Sequence, residues 1–416
     1  MKKTLMTILV SGLMFASCSK QETTDNPLLQ KWDTPFETAP FEKIKVEHYL
    51  PAFEAAMEEH NKEIQAIIDN AEAPTFDNTI AALDYAGETL SKVAGVFFNM
   101  MAANTSEELQ KVNEQVGPMM ATHSDNISMN AKLFEKIKAV YDAKDSQKYT
   151  GEQLALLEKT YNKFVRSGAL LDAAKQEELR KVNAELTKVE AKFDANLLKE
   201  SKAYQLVIDK EENLKGLPQG EIEKAAALAK QKGQEGKWIF TLDNPSFMPF
   251  VTYADNRDLR KEIFNARVNR CNNGGETDNN ALVAQMSELR AKKAQLLGYE
   301  TFAHYQLEER MAKEPKAVFD LLENLLSYSV KVAKEEAAQF QAMLSKDVPG
   351  AKLEAWDMYY YAEKVRQQKY NFDAELTRPY FEINNVRQGC FDVLTKLYGI
   401  SFTERKDISV YAEDVL

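Results

Sequence analysis

The sequence predicts a mainly α-helical protein carrying one small β ribbon. Three observations lead there. Turn punctuation is sparse, with 16 Gly and 12 Pro in 416 residues, too few for an all-β fold with many turns. Apolar residues recur at helical spacing over long stretches, and only two short runs combine β-branched and aromatic residues. The length permits a sizeable core and two or three domains. A hydrophobic share of 44% with 28% charged residues excludes wholesale disorder. The formal charge of -11 repels phosphate backbones, so nucleic acid is not the expected partner.

The chain opens on an address. Lys2 and Lys3 precede an apolar stretch from Leu5 to Ala16, the size of a signal-peptide core and too short to span a bilayer stably. It ends in Phe15-Ala16-Ser17-Cys18, which resembles a bacterial lipobox with Phe in place of the usual Leu. The expectation is that Cys18 becomes the lipid attachment point of a protein exported to the bacterial cell envelope. The alternative is a plain secretory signal cleaved nearby. The polar segment from Ser19 to Asp25 reads as a flexible tether. Of the remaining cysteines, Cys271 and Cys390 could form one disulfide, but two isolated buried thiols are the expected state.

Helices follow from Val46 onward. Phe53, Met57, Ile64, Ile67 and Ile68 share one face and predict a core-facing stripe. Thr105-Ser106-Glu107-Glu108 and Thr150-Gly151-Glu152-Gln153 have the capping-box pattern that opens a helix. Leu179, Val182, Leu186, Val189, Phe193 and Leu197 form a seam along a helix at 173–198, expected to be half of a hairpin with 152–166. The strand candidates are Tyr204-Gln205-Leu206-Val207-Ile208 and Trp238-Ile239-Phe240-Thr241-Leu242, flanking a helical piece at 220–232. Beyond Pro249 helices are expected at about 253–270, 279–297, 316–345 and 355–371. The expected organisation is a signal peptide (1–17), an anchored tether (18–30), an N-terminal helical domain (31–200), the strand pair with its insert (201–245) and a further helical region (246–416).

No catalytic or metal-ligating residue emerges from the motifs. A zinc-peptidase helix needs two His four residues apart, because i and i+4 face the same way. His48, His60, His123 and His304 offer no such pair, and no His is followed by Glu. GxSxG, P-loop and GxGxxG motifs are absent from the sequence. Tyr359, Tyr360 and Arg366 lie on one predicted helix, where packing and a solvated Arg account for them equally well.

Function enters through a resemblance over nearly the whole mature chain. The segment NPLLQKWDTPFETAPFEKIKVEHYLPAFEAAM from Asn26 resembles the start of bacterial peptidyl-dipeptidases, members of the thimet oligopeptidase family. Tyr253-Ala254, Arg257, Arg260, Phe264, Ala266 and Arg270 match the family's middle region. Asp278-Asn279, Leu289-Arg290, Ala294, Leu296-Leu297-Gly298-Tyr299 and Met311-Ala312 follow in order. Trp356-Asp357, Tyr359-Tyr360, Tyr370, Pro379-Tyr380-Phe381 and Leu397-Tyr398-Gly399-Ile400 complete the series.

The resemblance implies a multi-helical, two-lobed, neurolysin-like channel fold, incomplete here, that admits short unfolded peptides. It implies zinc, a monomer and release of C-terminal dipeptides. Family members bind zinc through HExxH and a downstream Glu, with the motif Glu as general base. No residue of this sequence matches those positions, so none is carried over, and the only site residue assigned is Cys18. The chain is expected to stop before the catalytic helix and to be inactive alone. The alternatives are a lipid-anchored, non-catalytic helical protein that binds peptides, and a functionless fragment with a half-built core.

Overall fold

The structure, a computed structural model, describes residues 25–372 and 374–415. Cys18, the signal segment and most of the tether lie outside the described residues. The described residues divide into two compact units, one running up to Arg180 and taking in 403–415, the other lying within Lys181–Phe402. The architecture is mainly helical with one two-stranded antiparallel sheet among the described residues, the fold class expected from the sequence.

The first unit is built on α1 (Tyr49–Asp69), α2 (Ala82–Tyr85), α3 (Glu88–Ala103), α4 (Glu107–Ser128), α5 (Ala131–Asp142) and α6 (Gly151–Arg166). The apolar stripe of α1 serves two clusters. Phe53 and Met57 pack with Leu90, Val93 and Phe97 of α3, while Ile64 and Ile67 pack with Leu133, Ile137 and Leu157. Phe97 is fully buried, edge-on to Tyr49 at 5.0 Å and to Phe53 at 5.4 Å between ring centroids. Helix α6 opens on the predicted capping box, with Thr150 N donating to Gln153 and Gln153 N to Thr150. At α4 the cap is Ser106, whose hydroxyl accepts from Leu109 N, and no reciprocal Glu bond completes a box. The last segment of the chain returns to this unit. Ser409 Oγ accepts from Glu42 N, and the Tyr411 ring meets Phe41 edge-on at 5.6 Å.

The boundary between units falls inside α7 (Ala173–Ala203), whose seam residues Leu179, Val182, Leu186 and Val189 are buried. In the second unit β1 (Leu206–Ile208) pairs with β2 (Trp238–Phe240), with Leu206 opposite Phe240 and Ile208 opposite Trp238. Alternation puts Leu206 and Ile208 in the core and Val207 outside. Between the strands runs α8 (Gln219–Gln231), and the core around them takes in Phe247, Phe250 and Ile263.

One difference from the sequence reading lies around Pro249. In place of a helix that starts beyond it, α9 (Asn244–Tyr253) runs through it. Burial of Phe247, Phe250 and Val251 overrides the local breaker signal. A separate α10 (Arg257–Val268) then starts at Asn256, whose side chain accepts from Asp258 N and Leu259 N. The chain continues through α11 (Asn280–Leu296), α12 (Phe302–Leu307), α13 (Pro315–Asp347), α14 (Met358–Tyr370) and α15 (Ile383–Tyr398). No helix among the described residues is long and apolar enough to cross a membrane.

The expected pair of buried thiols is corrected. Cys271 is buried and Cys390 is exposed, both free. Cys390 lies on α15, which has no buried residue, so the helix has no interior to shelter it.

Removing the Phe97 ring would leave a cavity bounded by rings that cannot collapse freely. Phe97→Ala is expected to cost about 3–5 kcal/mol in chemical denaturation. A loss under about 1 kcal/mol would mean that this cluster is loosely packed.

Candidate functional site

Arg257 and Arg260 are three residues apart on α10 and so leave the helix on the same side. Opposite them the short turn Ala355–Asp357 ends on Asp357, whose side chain has no exposure to solvent. Arg257 donates to Asp357 through Nε at 3.0 Å and Nη2 at 2.7 Å. Arg260, 1% exposed, donates to Asp357 Oδ1 at 3.2 Å. Glu354 N, 3.1 Å from Oδ2, completes the shell.

The rest of the Arg260 guanidinium is held by the carbonyls of Ala254 (2.7 Å) and Asp255 (3.2 Å). It also lies 3.8 Å from the centroid of the Tyr360 ring. The Tyr360 hydroxyl donates to Asp255 at 2.7 Å, closing a loop of contacts between α9, α10 and α14. Arg260 Nε is left buried with no hydrogen-bond partner, as is Trp356 Nε1 in the turn that carries Asp357. Burial raises the Asp357 carboxyl, but the hydrogen bonds from Arg257 and Glu354 N, with the Arg257 charge, outweigh it and hold it below its ordinary range. Every carboxylate lone pair faces a donor. The arrangement therefore clamps two helices and leaves no basic oxygen for proton transfer.

Of the other residues on this helix, Tyr359 is 44% exposed. Arg366 is spent on Glu363, at 2.6 and 2.7 Å.

The histidines are dispersed. His48 accepts from Lys45 N at 3.1 Å as part of a helix start. His304 caps α12 with Thr301, its Nδ1 2.9 Å from the hydroxyl. His60 of α1 and His123 of α4 meet at 3.0 Å between Nδ1 and Nε2. They line a cavity of about 340 Å³ with Lys163, Ser124 and Thr160. Gly87 makes this approach possible. At φ +81° it sits where a Cβ would come within 2.9 Å of the His60 ring. Burial pushes both imidazoles below their ordinary pKa, aided for His123 by the neighbouring His60.

A zinc site of the kind the family resemblance implies needs three protein donors converging on one ion. Among the described residues no group of three or more His, Cys, Asp or Glu is placed to hold a metal ion. The His60–His123 pair is hydrogen-bonded to itself and has no third donor. The donor set present does not fit a peptidase zinc.

What the geometry defines is a helical framework locked by a buried ion cluster, and that framework has relatives. Residues 250–416, which contain the whole clamp, match the model for Peptidase family M3. The chain is 35% identical over 394 residues to the dipeptidyl carboxypeptidase of Escherichia coli (strain K12), covering 94% of this chain and 58% of that protein. It is 31% identical over 397 residues to oligopeptidase A of the same organism, with coverages of 94% and 57%. To the organellar oligopeptidase A of Arabidopsis thaliana it is 30% identical over 391 residues, covering 92% of this chain and 48% of that one. The chain belongs to the thimet oligopeptidase/peptidyl-dipeptidase family of peptidases, family M3. It spans 58% of the length of the dipeptidyl carboxypeptidase it matches.

Arg257, Arg260, Asp357 and Tyr360 each match the family separately along the sequence, and only the fold brings them into one cluster. The available signal was an Arg pair at i,i+3 together with an Asp at a helix start, 97 positions beyond Arg260.

Asp357→Ala would leave Arg260 charged, buried and unpaired. The expected loss is about 3–5 kcal/mol in urea unfolding, larger than for Arg257→Ala, whose side chain is partly solvated. Equal, small losses would contradict the clamp.

The histidine pair predicts a pH dependence. Both folded-state values are depressed, so the unfolded chain takes up protons first as pH falls. This contribution is fully present above about pH 6.5 and is lost below it. The melting temperature should fall between about pH 7 and 5, and less steeply in His123→Gln. An identical slope in the variant would remove the pair from the account.

Proposed function

We propose that this chain is the framework portion of an exported zinc peptidase acting on short unfolded peptides, releasing dipeptides from the C-terminal end. The observation that carries the reading is 35% identity to a dipeptidyl carboxypeptidase across 94% of the chain, somewhat above the 31% to oligopeptidase A. The lipobox-like segment ending at Cys18 supports attachment to the cell envelope through a lipid. The zinc-bound water would do the hydrolysis in the complete enzyme. The described residues contribute walls and rigidity rather than ligands, so the chain by itself is inactive. A second reading, a non-catalytic peptide-binding protein, is favoured by the lack of a metal donor set among the described residues.

Zinc analysis with mass spectrometry of peptide products separates these readings. The chain alone should hold less than stoichiometric zinc and cleave nothing. Supplied with the part of the E. coli dipeptidyl carboxypeptidase outside the matched 58%, it should shorten a peptide from its C-terminus two residues at a time. Internal cuts would replace the dipeptidyl reading with an oligopeptidase. Peptide binding without cleavage in either form would favour the second reading. Chelator-sensitive cleavage by the chain alone would overturn the donor-set argument.

A further inference from the structure

The cavity beside the His60–His123 pair lies wholly within the first unit and has no part in the clamp. Leu90, Met120 and Phe164 give it apolar walls. Asp84 of α2 and Lys163 of α6, both exposed, bring one charge of each sign, and Ser124 and Thr160 add hydroxyls. Among the described residues, none of these four side chains makes a hydrogen bond or ion pair within the protein. Lys163 is close enough for its charge to bear on His60. The other charged group that bears on His60, Glu63, is engaged by Gly87 N at 2.7 Å. The imidazoles add a further property. With both rings neutral, one N–H is used between His60 Nδ1 and His123 Nε2. The two outer nitrogens then hold one N–H and one lone pair between them, whichever ring donates. The pair can therefore offer a donor or an acceptor from either ring by exchanging tautomers.

We propose that this cavity is a binding site for a small zwitterion with an apolar side chain, a free amino acid or a dipeptide. Lys163 takes its carboxylate, Asp84 its ammonium, and Leu90, Met120 and Phe164 its side chain. The lining selects this class by elimination. A plain anion would meet the Asp84 carboxylate and a plain cation the Lys163 ammonium. A wholly apolar molecule would strip water from Ser124 and Thr160 without replacing their hydrogen bonds. Size sets the upper limit. The volume of about 340 Å³ lies near the small end of the range for ligand pockets, about 300–1,000 Å³, and excludes longer peptides. The site is built rather than incidental, because Gly87 at φ +81° leaves the room that lets the His60 ring stand in its wall.

This inference stands apart from the peptidase reading above, and its test reads binding rather than hydrolysis. The 416-residue chain is dialysed to equilibrium against labelled L-leucine or L-alanyl-L-leucine, with a chelator present so that nothing is cleaved. Expected is saturable one-to-one binding of at least one of the two, and the tighter one tells whether amino acid or dipeptide is the occupant. N-acetyl-L-leucine lacks the ammonium and L-leucinamide lacks the carboxylate, so each should bind roughly fivefold or more weakly than leucine if leucine is the ligand. For the dipeptide the same end-blocked forms should show the same loss. Asp84→Asn and Lys163→Met should each weaken binding by a similar factor. Both residues are exposed, so the melting temperature of the free chain should not change. The proposal is overturned if neither probe binds saturably up to about 10 mM. It is equally overturned if either blocked form binds as well as its parent, or if both variants bind as the unaltered chain does, which would place the ligand elsewhere.

Discussion

Asp357 is the constraint on which the helical part of the second unit depends. It is a carboxylate with no access to water, and such a group is tolerated only when its charge and lone pairs are met in place. Two arginines from α10 and one backbone amide do so, and they fix where α14 begins. Tyr360, one turn further on, is thereby brought under the Arg260 guanidinium and into reach of Asp255. The geometry is over-determined: shifting any of α9, α10 or α14 would strand a buried charge. Buried ion clusters contribute little net stability compared with an apolar core, but removing one member is strongly destabilising because it leaves an uncompensated buried charge. Here the cluster ties α10 and α14 to one arrangement.

The core around the β ribbon is dominated by Leu, Ile and Phe, whose burial is favourable without being directional. The clamp is directional. Beyond it the unit changes character, since α13 carries eight apolar side chains between Phe319 and Val332, each 40–72% exposed. Burying those faces fully would contribute on the order of 10 kcal/mol. Within one helix, α13 therefore passes from an exposed apolar end to a buried apolar end at Phe340 and Leu344.

Much of this was legible in the sequence. The α1 stripe, the Thr150 capping box, the seam of α7 and both strands follow from period and propensity, which are local. What escaped was decided at long range. Pro249 reads as a breaker until Phe247 and Phe250 find their core. Cys390 reads as a buried thiol because cysteines usually are, while its helix has no buried side at all. The clamp joins residues about 100 positions apart, and nothing in the spacing of Arg257, Arg260 and Asp357 announces their meeting. For the catalytic site the residues themselves are the reason: no described donor cluster exists to be read, in the sequence or in the fold.

The most direct test of the clamp is native-state hydrogen exchange across α10 and α14. If Asp357 ties them together, their slowest amides open in one cooperative step, with the same free energy and the same denaturant dependence. Replacing Asp357 should lower both by the same amount. Independent opening of α14, with α10 still protected, would show that the ion cluster decorates the packing instead of determining it.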